Sequence, residues 1–435
     1  MKRALFVCYG GGHVKILLQV LQELARQPVG KISVVNIGLT TAARELRQAG
    51  YPAKGFRDYV SSATDACGQA IGVRLAAEMH NAEAGISYEE SVAYLGLSMQ
   101  DLASRVGEPE AWGLFQKLKR MCFCPVTVLE RILQQERPDI VVTTNSPKGE
   151  RAALIAARKL GIPSVRIEDL FGVPVMIRYI RAVLGEDARE VVLPVHPDRV
   201  AVMNEAARNN VIAAQKEEAL WVEPRNVRVT GQPVLDEASR KVAGLSQRLC
   251  REENHLPPDQ PILLWATDNL AVDGQILNAL LGAFRRNPEW FLVIKLHPGF
   301  SASQEESYQR QLLPNMRVVS GGDIHRLVFA ADATLTHFTT VGLEAAALGR
   351  PLILVDFGSE AEIFRNDLLL HISYRATVPY FRPYAAALVH DLQDLEPAIG
   401  NVLTSPAKPR ADNSFLQSDG NASARIVELI GELLS

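Results

Sequence analysis

The chain has 435 residues, of which 47% are hydrophobic and 22% charged, and its formal net charge is −3. This balance is that of an ordinary globular protein and gives no sign of a nucleic-acid partner. The length exceeds what one hydrophobic core usually organises, so we expect two domains. The five cysteines lack the spacing of a disulfide framework or a zinc site, which indicates a reducing, cytoplasmic environment without a bound metal. No apolar run is long enough to predict a signal-peptide core or a membrane span.

The first half of the chain alternates short apolar runs with amphipathic stretches, which is the pattern of a parallel α/β sheet. The predicted strands of this half are 4–9, 31–37, 138–144, 163–167, 191–193 and 227–230. Between about residues 58 and 135, long and mostly helical stretches with few turn signals replace the alternation. We therefore predict a helical insertion in the first domain.

The sequence Gly231-Gln232-Pro233 interrupts this pattern, and a second α/β series follows it. The predicted strands of the second series are 262–267, 291–296, 317–319, 333–336 and 351–355, and a polar loop at 405–418 precedes a last helix at 422–434. We assign residues 1–238 to a first domain and residues 239–435 to a second. The predicted fold class is α/β, with two facing Rossmann-like doubly wound domains that bind ligands in a cleft at the carboxyl ends of their strands.

The stretch from Phe329 to Phe357 contains a predicted strand, helix and second strand in a single crossover. Its helix begins at the carboxyl end of the first strand, where backbone N–H groups favour a phosphate. Thr339 and Thr340 stand at this helix start, so one hydroxyl would cap the helix and the other could contact a phosphate. Glu344, one turn later, suits the hydroxyls of a ribose. The alternative is that Glu344 is only a first-turn carboxylate favoured by the helix dipole.

Three glycines and a histidine, Gly10–His13, follow the first predicted strand. Gly11 and Gly12 let the backbone approach a ligand, although the spacing is not that of a dinucleotide-binding loop. His13 would start a helix, whose dipole disfavours an imidazolium and leaves a neutral ring able to act as a general base. The alternative for His13 is a solvent-exposed residue without a chemical role.

Polar side chains also end three other predicted strands. Lys295 and His297 point to the same face under the two-residue period of a strand, and they offer a cation and a donor to a phosphate. The alternative is that Lys295 and His297 only cap the strand, which Pro298 ends. Glu168 ends a strand of the first half as a candidate catalytic carboxylate, and Asp356 ends a strand of the second half as a candidate ligand of sugar hydroxyls. Simple solvation would explain Asp356 equally well.

Together these segments resemble the two-domain GT-B glycosyltransferases, above all the bacterial peptidoglycan N-acetylglucosaminyltransferase, and also the UDP-N-acetylglucosamine 2-epimerases. The resemblance is carried by Gly10–His13, 229–234, 331–351 and 419–426. In the donor motif of this family a glutamate binds the ribose, and this glutamate corresponds to Glu344. The likeness covers most of the chain by architecture, but the insertion near 58–135 matches no family pattern.

The resemblance implies an inverting, metal-independent glycosyltransferase of bacterial glycan biosynthesis, with a nucleotide sugar as co-substrate and no other cofactor. His13 and Glu168 would be the catalytic residues. The implied donor-binding residues are Gly11, Gly12, Thr267, Lys295, His297, Thr339, Thr340, Glu344 and Asp356. The acceptor would be a hydroxyl of a glycan, a lipid-linked glycan or a protein.

Two features leave the donor and the reaction open. The family's glycine-rich donor loop is replaced by Thr267-Asp268-Asn269, while His297-Pro298 and the hydroxyl pair at 339–340 resemble the capsule-polymer and sialic-acid-polymer transferases. A UDP-sugar is therefore favoured, with a CMP-sugar as the alternative. The rival functions are an epimerase of the 2-epimerase type and a non-catalytic nucleotide-sugar-binding or scaffold protein. A basic apolar segment at 173–184 could contact a membrane surface, although such a segment is more often an ordinary amphipathic helix.

Overall fold

A computed structural model describes residues 1–27, 32–61, 63–297, 299–337, 339–358, 361, 364, 366–404, 416 and 418–435. The chain divides into two compact units: unit 1 comprises Met1–Val234 and Asn421–Ser435, and unit 2 comprises Leu235–Gly420. Three features predicted from the sequence involve positions outside the described residues, namely Lys31 at a strand start, Pro298, and most of the polar loop at 405–418.

Unit 1 is built on a parallel sheet of six strands in the order β2-β1-β3-β4-β5-β6. The strands are β1 Arg3–Tyr9, β2 Ser33–Leu39, β3 Ile140–Thr143, β4 Ser164–Ile167, β5 Arg199–Val202 and β6 Val227–Val229. The helices are α1 Gly12–Arg26, α2 Ala42–Gln48, α3 Ala66–Met79, α4 Tyr88–Val106, α5 Glu108–Leu118, α6 Val126–Glu136, α7 Gly149–Lys159, α8 Val175–Leu184, α9 Glu205–Glu218 and, after unit 2, α18 Ala422–Leu434. The helix α10, Pro233–Val242, spans the division between the units.

Both faces of this sheet are covered, which explains the uninterrupted apolar run of β1. Leu5 and Val7 belong to the core cluster that contains the helical insertion, whereas Ala4 and Phe6 belong to the cluster that contains residues of α1 and α18. Successive side chains thus alternate between two cores, as the two-residue period of a strand requires.

The helical insertion predicted near 58–135 is confirmed as α3 to α6. Its two longest helices, α3 and α4, approach each other closely through glycines. A Cβ atom on Gly72 would lie 2.1 Å from the carbonyl oxygen of Val92, and one on Gly96 would lie 2.0 Å from that of Gly68. Any larger residue at these positions would separate the two helices.

The last helix, α18, contributes Ile426, Val427 and Ile430 to the same core cluster as α1. The predicted second domain, 239–435, includes residues 421–435. In the structure these residues belong to unit 1 instead. The apolar face of α18 has its partners on the first sheet and α1, and this pairing is a long-range contact that a local pattern does not reveal.

Unit 2 is a second parallel sheet, in the order β12-β11-β10-β7-β8-β9. Its strands are β7 Ile262–Ala266, β8 Phe291–Lys295, β9 Met316–Val319, β10 Ala333–Thr336, β11 Leu352–Val355 and β12 Ala385–Val389. Its helices are α11 Gln247–Glu253, α12 Asp273–Arg286, α13 Ala302–Gln309, α14 Ile324–Ala330, α15 Val341–Ala347, α16 Leu368–Phe381 and α17 Leu395–Thr404. Counted from the β9 edge, the strand order corresponds to 3-2-1-4-5-6, which is the order of doubly wound dinucleotide-binding folds.

Two strands differ from the sequence prediction. The predicted strand 191–193 is a turn, and the strand of this region is β5, which begins at Arg199. The last strand, β12, was not predicted, because its Ala-Ala-Ala start is typical of a helix rather than of a strand. Among the described residues, no helix is long and apolar enough to cross a membrane.

Candidate functional site

The strand order of each unit contains one topological switch point, where consecutive connections leave in opposite directions and ligands commonly bind. In unit 1 this point lies between β1 and β3, and in unit 2 it lies between β7 and β10. The candidate residues of each unit follow the carboxyl ends of these strands or of their direct neighbours. Each unit therefore has its own candidate site.

The glycine loop of unit 1 joins β1 to α1 at the first switch point. Gly10 has no room for a side chain, since a Cβ atom would lie 1.7 Å from Oγ1 of Thr41. Gly11 has φ of 72°, a left-handed conformation that favours glycine. Added Cβ atoms on Gly11 and Gly12 would meet nothing within 4 Å. The backbone at Gly11 and Gly12 is thus open to a ligand, as their predicted role requires.

His13 heads a hydrogen-bonded chain that crosses from β1 to β3. Its Nδ1 lies 2.6 Å from Oγ1 of Thr144, and the Thr144 hydroxyl donates to Oε2 of Glu150 at 2.7 Å. Nδ1 of His13 is itself 3.8 Å from the Glu150 carboxylate. Thr144 follows β3 directly, and Glu150 lies in the first turn of α7. The chain therefore links three elements that meet at the switch point.

Glu150 is fully buried and is held by backbone donors as well as by Thr144. The amide of Tyr9 donates to Oε1 and the amide of Ser146 donates to Oε2, at 2.8 and 2.7 Å. Because a carboxylate only accepts hydrogen bonds, the single hydroxyl proton of Thr144 is directed to Glu150. Thr144 must then accept from Nδ1–H of His13. This fixes the tautomer and leaves the Nε2 lone pair of His13 as a proton acceptor.

Lys148 lies in the same loop, between Thr144 and Glu150. Its Nζ is 4.3 Å from the centre of the Tyr9 ring, within the range of a cation–π contact. Burial and then the charge of Arg120 lower the pKa of Lys148 to about 8. The loop thus adds the Lys148 ammonium beside the hydrogen-bonded chain of His13. This ammonium can lose a proton close to neutral pH.

Glu168 directly follows β4 and lies in a buried cluster of charges at the end of this strand. Nε of Arg166 is 2.6 Å from Oε1 of Glu168, and Nδ2 of Asn145 donates to Oε2 at 2.7 Å. Arg166 also pairs with Glu218 at 2.5 Å. Burial raises the pKa of Glu168 to about 7 in spite of the neighbouring guanidinium. Since Asn145 follows Thr144, one loop contacts both predicted catalytic residues.

Thr144, Glu150 and Lys148 were not predicted as site residues. The available signal was a run of polar residues directly after a buried strand, 143–150. Thr144 is the last residue of the predicted strand 138–144, and Glu150 was given no role. Their connection to His13 depends on the pairing of β1 with β3, which the sequence does not specify.

In unit 2, Thr267 joins the ends of β7 and β8. Its hydroxyl accepts from the His297 amide at 2.9 Å and donates to the Lys295 carbonyl at 3.4 Å. The exposed His297 ring accepts from the amide of Gly299 at Nδ1, at 3.0 Å, so a neutral ring carries its proton on Nε2. Lys295 donates to the carbonyl of Ser320 at 3.0 Å. His297 is thus an exposed residue at the end of β8, and the Lys295 ammonium contacts the residue that follows β9.

The two threonines before α15 differ in their surroundings. Oγ1 of Thr339 accepts from the amide of Val341 at 3.4 Å, which is the capping role expected for one of the pair. Thr340 is exposed, and its side chain makes no capping hydrogen bond. Thr340 is therefore the hydroxyl available to a ligand. The helix α15 spans Val341–Ala347. It is shorter than the helix that the sequence predicts after the first strand of the crossover, which covers 339–348.

Glu344 forms an ion pair that the sequence did not reveal. Its Oε2 is 3.3 Å from Nε2 of His325, whose Nδ1 is 3.4 Å from Asp323. Burial opposes the imidazolium, but Asp323 and Glu344 outweigh burial and raise the pKa of His325 to about 9. The contact with the His325 ring is also the main cause that lowers the pKa of Asp323, and Lys241 adds to it. His325 consequently orients the Glu344 carboxylate and stabilises its charge.

Asp356 is fully buried at the end of β11. The Tyr374 hydroxyl donates to Oδ1, and Nε of Arg382 donates to Oδ2 at 2.7 Å. His390 donates to the Asp356 carbonyl at 2.7 Å. These partners tie β11 to the following helix and strand. Contact of Asp356 with a sugar stays a prediction, and it would require one of these partners to be exchanged for the sugar.

Comparisons with known proteins show the fold. No protein-family model matches the chain, and no curated protein matches it in sequence. The structure of UDP-GlcNAc 2-epimerase from Neisseria meningitidis has 14% identity and a TM-score of 0.60, and the match covers 99% of this chain and 100% of that chain. The 2-epimerase from Methanocaldococcus jannaschii has 14% identity and a TM-score of 0.60, with 99% of each chain covered.

The glycotransferase of kitacinnamycin is a further solved structure with this fold. It has 15% identity and a TM-score of 0.55, and the match covers 100% of this chain and 99% of that chain. At such identities these likenesses show the fold alone. They confirm the predicted α/β fold class of two Rossmann-like domains and, at the level of the fold, the resemblance to GT-B nucleotide-sugar proteins.

Proposed function

We propose that this protein is an inverting, metal-independent glycosyltransferase that transfers a sugar from a nucleotide donor to a hydroxyl acceptor. The observation that carries this proposal is the chain from His13 through Thr144 to Glu150, which directs Nδ1–H of His13 inward and leaves Nε2 as a base. A glycosyl acceptor must lose a hydroxyl proton as it attacks, and an imidazole of fixed tautomer suits that task.

Unit 2 would bind the donor. Glu344, which His325 contacts at 3.3 Å, would accept hydrogen bonds from the ribose hydroxyls, and the exposed groups of Thr340 and His297 would contact the diphosphate. Lys295 and Thr267 would complete the contacts from the ends of β8 and β7. The N. meningitidis enzyme of similar fold is bound to UDP-GlcNAc, which supports a UDP-sugar over a CMP-sugar here.

In the proposed reaction the acceptor oxygen attacks the anomeric carbon from the face opposite the diphosphate. The C–O bond to the diphosphate breaks, and the hydroxyl proton passes to Nε2 of His13. Negative charge grows on the leaving diphosphate in the transition state, where hydrogen-bond donors and cations lower the barrier most. His297, Thr340 and Lys295 would supply these groups, and the open backbone at Gly11 and Gly12 would admit the reacting sugar.

Glu168 would act near His13, because Asn145, which donates to Glu168, directly follows Thr144, which contacts His13. We assign Glu168 to the catalytic residues on this geometry. Burial raises its pKa, which favours proton exchange by the carboxyl group closer to neutral pH. Asp356 would keep Arg382 and Tyr374 in place beside the donor and reach a sugar hydroxyl by exchanging one of them.

The proposal is tested by measuring the melting temperature of the protein with UDP, CMP, GDP and dTDP, since a ligand that binds only the folded state stabilises it. UDP should raise the melting temperature most. Glu344→Ala should weaken UDP binding roughly ten- to a hundredfold, the effect of losing hydrogen bonds to a charged group, while Glu428→Ala, on the helix α18 of unit 1, serves as a control. Failure of all four nucleotides to bind would contradict the proposal.

A second candidate function is epimerisation of the sugar at C2. It is favoured by the many 2-epimerases among the structures of similar fold, such as those from N. meningitidis and M. jannaschii. A second titratable group, Glu168, also favours it, because Glu168 accepts from Asn145 of the loop that contacts His13. An epimerase needs no acceptor. Incubation with UDP-GlcNAc alone in D₂O would therefore yield a C2 epimer carrying deuterium, whereas a transferase would leave C2 unlabelled.

A further inference from the structure

Unit 2 contains a cavity of about 560 Å³ between the first turns of α12 and the helix α13. None of the residues assigned to the donor lines it. The volume lies within the range of small-ligand sites in proteins. The cavity is therefore large enough for a ligand of its own, and its lining determines which class of ligand fits.

Asp273 is the buried polar group of this cavity. It is 1% exposed, and Oδ2 accepts from the amide of Leu270 at 3.2 Å. Oδ1 makes no hydrogen bond with any residue that the structure describes. Burial raises the pKa of Asp273 to about 6, although the amides of Leu270, Asp268 and Asn269 oppose this rise. Buried polar atoms are rarely left without a partner, so a ligand that supplies one at Oδ1 would be stabilised.

The remaining lining is uncharged and rich in amides. Five carboxamides line the cavity together with the rings of Phe300 and Tyr308, namely those of Asn269, Gln275, Asn278, Gln304 and Gln311. The two rings lie 5.4 Å apart in an edge-to-face arrangement. No lysine, arginine or histidine is among the described residues of the lining. An anionic ligand would thus meet Asp273 without any compensating cation, which argues against a phosphate or a second nucleotide.

A neutral polyhydroxylated ligand fits each of these features. Carboxamides both donate and accept hydrogen bonds, as sugar hydroxyls require. The aromatic rings offer apolar surface to the C–H face of a pyranose, and Asp273 offers an acceptor for a hydroxyl proton. We propose that this cavity binds a neutral saccharide unit, at a site separate from the donor site and independent of the proposed transfer reaction.

The helix α12 supplies a blocking variant and a matched control. A Cβ atom on Gly274, which lines the cavity, would meet nothing within 4 Å, so Gly274→Phe can fill the cavity without displacing the backbone. Gly282 lies in the same helix outside the cavity, and its nearest neighbour to an added Cβ is the Arg286 side chain at 3.6 Å. Gly282→Phe thus adds the same ring to the same helix away from the site.

The test is saturation-transfer NMR of the full chain with the methyl glycosides of glucose, galactose, mannose and N-acetylglucosamine. At least one glycoside should bind saturably, Gly274→Phe and Asp273→Ala should weaken it at least tenfold, and Gly282→Phe should leave it unchanged. Circular dichroism and melting curves establish that each variant is folded.

The proposal is overturned if no glycoside binds saturably, if Gly274→Phe binds as the wild type does, or if inorganic phosphate binds in a way that Gly274→Phe abolishes. UDP binding is measured in parallel, because its retention in Gly274→Phe separates this site from the proposed donor site.

Discussion

In unit 1, His13 follows the strand at the switch point and its side chain is 24% exposed, whereas His337, which follows β10 at the switch point of unit 2, is fully buried. His13 is hydrogen-bonded to a hydroxyl that is itself bonded to a carboxylate. His337 stacks on Phe364 with ring centres 5.7 Å apart, and burial lowers its pKa to about 4. The strands on the two sides of a switch point thus lead to different rings: His13, after β1, is hydrogen-bonded, whereas His337, after β10, is packed among aromatic side chains.

The difference shows that topology locates a site but does not decide its chemistry. A strand end at a switch point places a residue near a ligand crevice in both units. Partners and burial then determine whether the ring exchanges protons. Among the predicted donor-binding residues that the structure describes in unit 2, His297 and Thr340 are exposed, which suits binding of a donor rather than proton transfer.

The largest effect is expected for His13. Replacing it by alanine should lower turnover by about a hundredfold to ten-thousandfold, the contribution typical of a general base. The affinity for the nucleotide should stay unchanged, because the proposed contacts with the nucleotide lie in unit 2. His196→Ala, an exposed histidine of the same unit, is the control and should keep full turnover. Steady-state kinetics with the stabilising nucleotide sugar measure both. Unchanged turnover in His13→Ala would remove the base from the mechanism.

The second effect concerns His325, the partner of Glu344. Its folded pKa of about 9 exceeds the ordinary value of 6.5, so its stabilisation is complete below about pH 6.5 and is lost as the pH rises through 9. His325→Gln should therefore lower the free energy of unfolding by up to about 3 kcal/mol at pH 6 and by much less at pH 10. Urea unfolding at several pH values measures this. A difference that does not vary with pH would show that His325 acts only by packing.

A smaller effect is expected for Thr144, which sets the orientation and tautomer of His13. Thr144→Val keeps the shape but removes the hydroxyl, and we expect turnover to fall about tenfold, the equivalent of one hydrogen bond of about 1.4 kcal/mol. Thr144→Ser restores the hydroxyl and should restore most of the activity. If the valine and serine variants have equal turnover, the hydroxyl does not position the base.

The smallest effect is expected for His337, the packing member of the comparison. His337→Phe keeps an aromatic ring against Phe364, so turnover should be unchanged and the free energy of unfolding should shift by less than about 1.5 kcal/mol. Turnover assays and urea unfolding of this variant check both values. A large loss of turnover would place His337 in the chemistry and remove the contrast between the two units.

The sequence allowed much of the fold to be predicted, because buried parallel strands such as β1 and β11 are continuous apolar runs with clear turn signals. Strands that lack this signal were missed or misplaced: β12 begins with three alanines, and the predicted strand 191–193 is a turn. The placement of α18 on unit 1 depends on contacts between the two ends of the chain, which no local pattern contains.

The candidate site was predictable only in part. The residues directly after apolar strands, such as His13, His297 and Thr340, were recognised because strand ends are identifiable from sequence. Their partners were not, since Glu150 and His325 lie on other helices and reach the site only through the packing of the sheet. These partners determine the tautomer of the His13 ring and the orientation of the Glu344 carboxylate. The chemistry of the site therefore depends on contacts that only the structure shows.

The most direct test of the central claim is the stereochemistry of donor hydrolysis in the absence of an acceptor. Water would take the place of the acceptor, and proton NMR would identify the first sugar anomer released from the α-linked nucleotide sugar that stabilises the protein. Inverting transfer with His13 as the base predicts that the β-anomer appears first, that C2 is unchanged, and that His13→Ala nearly abolishes the release. Initial release of the α-anomer, or of a sugar epimerised at C2, would contradict the account.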